Sequence, residues 1–148
     1  MAVYGTIITE DDRNRAMRIM MHLQQLEGDV RDLPKIGGLP FFREPTLLRD
    51  ARRLIAPLRT MKKDDIASAL DLLDKVEDTV MEYTAPSNAL FSESAYEAKL
   101  LRAHRETYGP DRDRDFFDLI DAAVLMHEEV DGVASMIHSL WEDMRNRR

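Results

Sequence analysis

Four histidines, combined with carboxylates, are the residues of this chain that could form a metal or proton-transfer site, because the chain contains no Cys. They are His22, His104, His127 and His138, and Asp131 follows His127 by one helical turn. No Glu precedes a histidine by three residues, and no His-Glu-x-x-His run occurs. The helix motifs of di-iron and zinc sites are therefore missing from the sequence. We expect no metal site, and we interpret His127 as a polar residue within a helix-packing seam.

Two acidic clusters support an alternative hypothesis, a metal-assisted phosphohydrolase in which helical carboxylates hold magnesium. One cluster falls in a predicted third helix and the other in a predicted fifth helix. Their members are Asp71, Asp74 and Asp78, and Glu128, Glu129 and Asp131. The sequence has neither a G-x-x-x-x-G-K-[ST] phosphate loop nor a G-x-S-x-G nucleophile turn. We therefore assign no catalytic residue and no cofactor, and we expect a protein that is not an enzyme.

The segment from 43 to 63 is basic, although the whole chain has a net charge of −7. Residues 33–63 contain eight basic and two acidic residues (+6), whereas residues 64–84 contain one and seven (−6). Such opposite charges favour the pairing of consecutive helices. The alternative is a nucleic-acid-binding regulator whose cations contact phosphates or another anion. The candidate contacts are Arg49, Arg52, Arg53, Arg59, Lys62 and Lys63. A sequence pI of about 5.1 makes nucleic acid the weaker hypothesis.

Length and composition indicate one globular domain. The chain has 148 residues, of which 44% are hydrophobic and 33% charged, enough to bury a core. We expect a single domain over residues 1–148, with residues 1–8 as an arm or an edge strand. No apolar run reaches the roughly 20 residues that span a bilayer. The first residues also lack the basic start and apolar stretch of a signal peptide. We therefore expect a cytoplasmic protein without membrane contact.

Hydrophobic periodicity and helix punctuation predict an all-α, single-domain helical bundle of about five helices with a long C-terminal helix. Thr9 and the acids after it open the first helix, and Pro57 kinks or ends the second. Pro86 and its neighbours break the chain after the third helix, and Ser94 with Glu97 opens the fourth as a capping box. The predicted helices cover about 9–33, 45–57, 64–83, 94–108 and 113 to the end.

The last predicted helix has the most regular pattern, a seam with steps of four and three over four heptads. The seam consists of Phe116, Ile120, Ala123, His127, Val130, Ala134, Ile137, Trp141 and Met144. Further apolar residues flank the seam: Phe117, Leu119, Val124, Met126, Val133 and Leu140. About 30 helical residues make a rod of about 45 Å, which is longer than the other helices can cover. We therefore expect part of its apolar surface to remain exposed near Ile137, Trp141 and Met144.

These features predict a protein that acts through protein contacts. Trp is a favoured anchor at interfaces, so Trp141 with Ile137 and Met144 is the first candidate contact surface. The proline- and glycine-rich loop around Phe41 and Phe42 is the second. We expect a small regulator, adaptor or assembly factor of bacterial or phage type. It would bind a partner protein, or itself as a homodimer or larger assembly, through the C-terminal helix.

Overall fold

The fold is described by a computed structural model for residues 7–31, 46–92 and 94–147, and for their side chains except at 84–92 and 94–96. Five α-helices make up most of these ranges: α1 (Glu10–Arg31), α2 (Thr46–Ile55), α3 (Ile66–Ser92), α4 (Ser94–Tyr108) and α5 (Asp113–Asn146). The described ranges contain no strand, and the predicted all-α fold is confirmed. None of the helices in these ranges has the combined length and hydropathy that crossing a membrane requires.

α1 begins with a reciprocal cap at the position that the sequence predicts. The Asp12 N–H donates to Thr9 Oγ1 at 3.1 Å, and the Thr9 N–H donates to Asp12 Oδ2 at 2.8 Å. Each bond satisfies an amide that the helix leaves without a partner. Just before the cap, the buried Ile8 donates its N–H to the carbonyl of Lys63 at 2.6 Å. Ile8 is thus fixed to the turn after α2, while residues 1–6 of the predicted arm lie outside the described residues.

α2 ends where Pro57 predicts an interruption. The α-helix stops at Ile55, and the chain continues as a short 3₁₀ turn, Ala56–Arg59, in which Pro57 occupies the first turn. The missing N–H of proline is tolerated there because that amide would have no helical partner. α2 packs against both α1 and α3. The predicted start of the second helix at residue 45 and the predicted end of the first at residue 33 lie outside the described residues.

The predicted break at 85–88 is wrong, because α3 continues through Pro86 to Ser92. A proline inside a helix removes one hydrogen-bond donor and costs about 3 kcal/mol. The helix before it packs against both α2 and α5, and this burial offsets a local loss of that size. α4 begins at Ser94 as predicted, although the side chain needed for the expected capping box there lies outside the described side chains.

α5 is one unbroken helix of 34 residues, which confirms the predicted C-terminal rod. At 1.5 Å per residue its length is about 51 Å. The turn from α4 depends on Gly109, whose φ of 89° and ψ of 162° belong to a region that side chains rarely adopt. A second short 3₁₀ turn, Pro110–Arg112, leads directly into α5.

α1 lies antiparallel to α5 and covers its C-terminal half. Arg15, near the start of α1, is 2.7 Å from Asp143, and Asp12 is 2.5 Å from Arg147. Towards the end of α1, Leu26 lines the same groove as Val133. α3 covers another side of this half of α5. The main core therefore lies between α1, α2, α3 and the C-terminal half of α5, with buried members that include Leu23, Leu48, Leu73, Val76, Ile137 and Leu140.

Candidate interaction surface

The C-terminal half of α5 is covered by its own chain. Ile137, Leu140 and Met144 are each 0% exposed. The predicted exposure of Ile137 and Met144 is therefore wrong. The physical reason is the register of α1, whose residue Asp12 lies level with Arg147 at the C-terminal end of α5. Since α1 starts where α5 ends, this half of α5 contributes its apolar seam to the main core.

Trp141 is half-buried and packs among neighbours from its own chain. Its indole stacks on His138, with ring centroids 6.0 Å apart, and the guanidinium of Arg145 lies 5.1 Å from the ring centroid. His138 in turn lies 3.4 Å from Glu77 of α3 and 3.5 Å from Glu142. Of the three predicted contact residues in this half, Trp141 alone is not fully buried.

The N-terminal half of α5 carries large apolar residues that remain exposed. The exposed fractions are 48% for Phe117, 36% for Val124 and 58% for Leu125. Asp121 and Glu128 are also exposed and lie three or four residues from these apolar residues, which makes them neighbours on the helix surface. We call these five residues the α5 N-terminal face. It extends over three helical turns, about 16 Å along the helix axis.

The α5 N-terminal face is acidic. Asp121 and Glu128 lie within it, and the exposed Asp118 lies beside it. No ion pair connects these three carboxylates to any other described residue. A nearby acid, Asp115, is instead 3.1 Å from Arg112. The face therefore combines apolar surface with negative charge that the described part of the chain does not compensate.

α4 supports this half of α5 through a small group of buried residues outside the main core. Leu100 and His104 of α4 and Phe116 of α5 are all buried. The ring of Phe116 lies 5.5 Å from that of His104 on one side and 5.5 Å from that of Phe117 on the other. The exposed ring of Phe117 thus rests on a ring that α4 holds in place.

An ion pair also ties α4 to the start of α5. Arg105 Nε donates to Asp113 Oδ1 at 3.0 Å, and Arg105 Nη2 donates to Asp113 Oδ2 at 2.7 Å. These hydrogen bonds lower the pKa of Asp113 below its ordinary value and raise the pKa of Arg105. Both side chains are partly exposed, so the pair contributes orientation more than stability.

The predicted cations between 49 and 63 differ in their exposure and use. Arg52 Nη2 lies 3.2 Å from Glu27 Oε2, and the buried Glu27 is also 3.0 Å from Arg31. Arg52 therefore joins α2 to α1, and Arg49 is half-buried. The cations that remain exposed are Arg53, Arg59, Lys62 and Lys63. Of the six candidate anion contacts, Arg52 is thus paired within the chain and Arg49 is half-buried, while the other four are exposed.

The two predicted carboxylate clusters lie on different helices, α3 and α5. Asp71, Asp74 and Asp78 of α3 are all exposed. His127 Nε2 is 3.7 Å from Asp131 Oδ2, one turn away on α5. Within the described ranges, no group of three or more His, Asp or Glu side chains is arranged to hold a metal ion.

The second predicted contact, Phe41 and Phe42, lies outside the described residues.

Comparison of the chain with models of protein families, with curated proteins and with solved structures gives no match. The α5 N-terminal face is therefore interpreted from its own geometry and charge.

Sequence reasoning placed the exposed surface at the opposite end of α5. The sequence pattern places Phe117 and Val124 beside the seam. It places Leu119, Val133 and Leu140 there too, and these three are buried, so the pattern alone does not tell exposed from buried residues. The signal that separates the two halves is charge. Between 114 and 131 there are six exposed carboxylates and one exposed Arg, a composition that suits solvent contact.

Proposed function

We propose that this chain is a non-enzymatic interaction protein that binds a partner protein through the α5 N-terminal face. The observation that carries the proposal is the exposure of Phe117, Val124 and Leu125 on the same helix whose C-terminal half completely buries Ile137, Leu140 and Met144. Burial of apolar surface contributes about 25 cal/mol per Å², so a partner that covers these side chains gains free energy. Clustered apolar residues on a rigid helix are typical of protein-binding sites.

The support beneath Phe117 favours binding without rearrangement. Phe117 rests on Phe116, which packs against His104 of α4, and Arg105 fixes the first turn of α5 through Asp113. A side chain that is already held in its bound position loses little conformational entropy on association. The face is therefore suited to rigid docking.

The occupant we propose is a different protein and not a second copy. A two-fold symmetric contact brings the same surface of both copies together. On this face it would place Asp121 and Glu128 against the same carboxylates of the other copy. Like charges held close in an interface oppose association. The acidity of the face therefore favours a partner of different composition.

Site-specific photocrosslinking in the cell of origin tests the proposal. A photoreactive amino acid placed at Phe117 is compared with the same amino acid at Met21, an exposed apolar residue of α1. We expect position 117 to crosslink a protein that then binds the purified chain. That binding should weaken about thirtyfold in the Phe117→Ser, Val124→Ser double variant, as for interface anchors, and remain unchanged in Met21→Ser.

Two results would reject this function. In the first, the protein captured at 117 binds the double variant as tightly as the original chain, so the contact lies elsewhere. In the second, position 117 crosslinks a second copy of the chain and light scattering shows a dimer that the double variant dissociates.

A further inference from the structure

The placement of the acids within the α5 N-terminal face restricts what can cover it. Asp121 lies four residues after Phe117 and three before Val124. Glu128 lies four residues after Val124 and three after Leu125. Residues at these spacings are neighbours on a helix surface. A partner that buries the three apolar side chains must therefore also cover both carboxylates.

Covering a carboxylate removes its water and is unfavourable unless a cation or hydrogen-bond donor replaces it. Neither carboxylate is paired with a cation of the described residues, and two arginines at this end of the molecule have other partners, Arg105 with Asp113 and Arg112 with Asp115. Arg114 is exposed, but it lies two turns before Asp121 along the helix. Since Asp121 and Glu128 have no cation partner among the described residues, a partner with basic side chains would compensate both carboxylates.

The shape of the face also restricts the partner. Its five residues form a stripe about 16 Å long on one helix, next to the supporting α4. A second helix laid along such a stripe makes contacts at positions i, i+3 or i+4, and i+7. Two or three apolar residues at these spacings cover Phe117, Val124 and Leu125. Basic residues beside them then meet Asp121 and Glu128.

We infer that the α5 N-terminal face binds a basic amphipathic helix of about three turns. This inference rests on the proposed function and names the chemistry of its partner. The apolar side chains supply the contact area, and the two carboxylates select Lys or Arg over neutral or acidic residues at the flanking positions. The small area of the face predicts a weak, salt-sensitive complex.

A synthetic peptide tests the inference on the full chain. The probe is a fluorescein-labelled, 18-residue amphipathic helix of Leu and Lys, compared with the same peptide carrying Glu at every Lys position. Fluorescence anisotropy gives the Kd at 50 and 300 mM NaCl. We expect binding of the basic peptide at low salt, at least about tenfold weaker binding at high salt, and none of the acidic peptide.

Variants of exposed residues locate the binding. We expect Phe117→Ser with Val124→Ser to raise the Kd about thirtyfold, as for interface anchors. Asp121→Asn with Glu128→Gln should raise the Kd about tenfold at 50 mM NaCl and reduce its salt dependence. The matched control is Asp74→Asn with Asp78→Asn, which removes two exposed acids from α3. It should leave the Kd unchanged within about twofold.

Four outcomes overturn the inference. Three of them are no binding of the basic peptide, equal binding of both peptides, and equal weakening by the α3 control. If the apolar double variant abolishes binding while the Asp121, Glu128 variant has no effect, the face binds helices without selecting charge. In that case the charge inference fails and the proposed function stands. The proposed function itself fails when the protein crosslinked at 117 binds the apolar double variant normally, whatever the peptide does.

Discussion

The two halves of α5 have the same apolar periodicity but differ in what covers them. In the C-terminal half, Ile137, Leu140 and Met144 have no exposed surface and belong to the main core, in which α5 packs against α1 and α3. In the N-terminal half, Phe116 is buried against α4, whereas Phe117, Val124 and Leu125 remain exposed. A repeating pattern on a helix thus identifies an apolar surface without identifying what covers it.

Helix length and register explain the difference. α1 has 22 residues and α5 has 34, so α5 exceeds its antiparallel neighbour by 12 residues, or about 18 Å. The ion pairs Asp12–Arg147 and Arg15–Asp143 align the start of α1 with the end of α5. The whole excess therefore falls at the N-terminal end of α5, where α4 takes over as the supporting helix.

The largest expected effect contrasts a buried and an exposed apolar residue of the same helix. Ile137→Ala should reduce the free energy of unfolding by about 2–5 kcal/mol, because it leaves a cavity in the main core. Phe117→Ala should reduce it by less, about 0.5–1.5 kcal/mol, because its half-exposed ring keeps only the edge-to-face contact with Phe116 and part of its buried area. Urea unfolding followed by circular dichroism measures both. Equal losses in the two variants would mean that both halves of α5 are equally covered.

The second effect concerns the ion pair that sets the register. Burial raises the pKa of Asp12, but hydrogen bonds from Arg147 and Thr9 outweigh it, so the pKa lies below its ordinary value. A carboxyl with a depressed pKa contributes stability at neutral pH that is lost as the pH falls below about 5. Asp12→Asn should remove about 1.5–3 kcal/mol at pH 7, as expected for a hydrogen bond to a charged group.

The control for this prediction is the pH dependence of the free energy of unfolding, measured for the original chain and for Asp12→Asn. Between pH 7 and pH 3 the original chain should lose more stability than Asp12→Asn, which has no carboxyl to protonate at this site. Parallel pH profiles for the two proteins would show that the Asp12 carboxylate does not hold α1 against α5.

A third effect, on the order of 1 kcal/mol, distinguishes two glycines. Gly109→Ala should destabilise the α4–α5 turn, because φ of 89° strains any residue with a side chain. Gly132 lies within α5 with nothing within 4 Å of an added Cβ, so Gly132→Ala should stabilise the helix by up to about 1 kcal/mol. Thermal unfolding measures both, and a stabilising Gly109→Ala would contradict the conformation of this turn.

The smallest expected effect is local to α4. Arg105→Gln removes the two hydrogen bonds to Asp113 at the beginning of α5. We expect faster amide exchange in α4 and the first turns of α5, with almost no change in the thermal midpoint of unfolding. A large fall in the midpoint would instead show that the N-terminal half depends on this exposed pair for its folding.

The sequence predicted most of the helices because their signals are local. Thr9 and the acids after it opened α1, the predicted range 94–108 matches α4, and the regular seam gave one continuous α5. The break predicted at Pro86 is wrong because the effect of a proline on a helix also depends on the packing of the residues before it. The burial of Ile137 and Met144 was not predictable, since it depends on the register of α1, which Asp12–Arg147 fixes over a distance of 135 residues.

Amide hydrogen exchange along α5 tests most directly the claim that its two halves differ in coverage. At neutral pH and in the absence of partners, we expect amides at 116–126 to be protected at least about tenfold less than those at 130–144, because the N-terminal half has fewer packed neighbours. Uniform protection along the whole helix would show that both halves are equally held by the chain, and would remove the basis for a partner at the α5 N-terminal face.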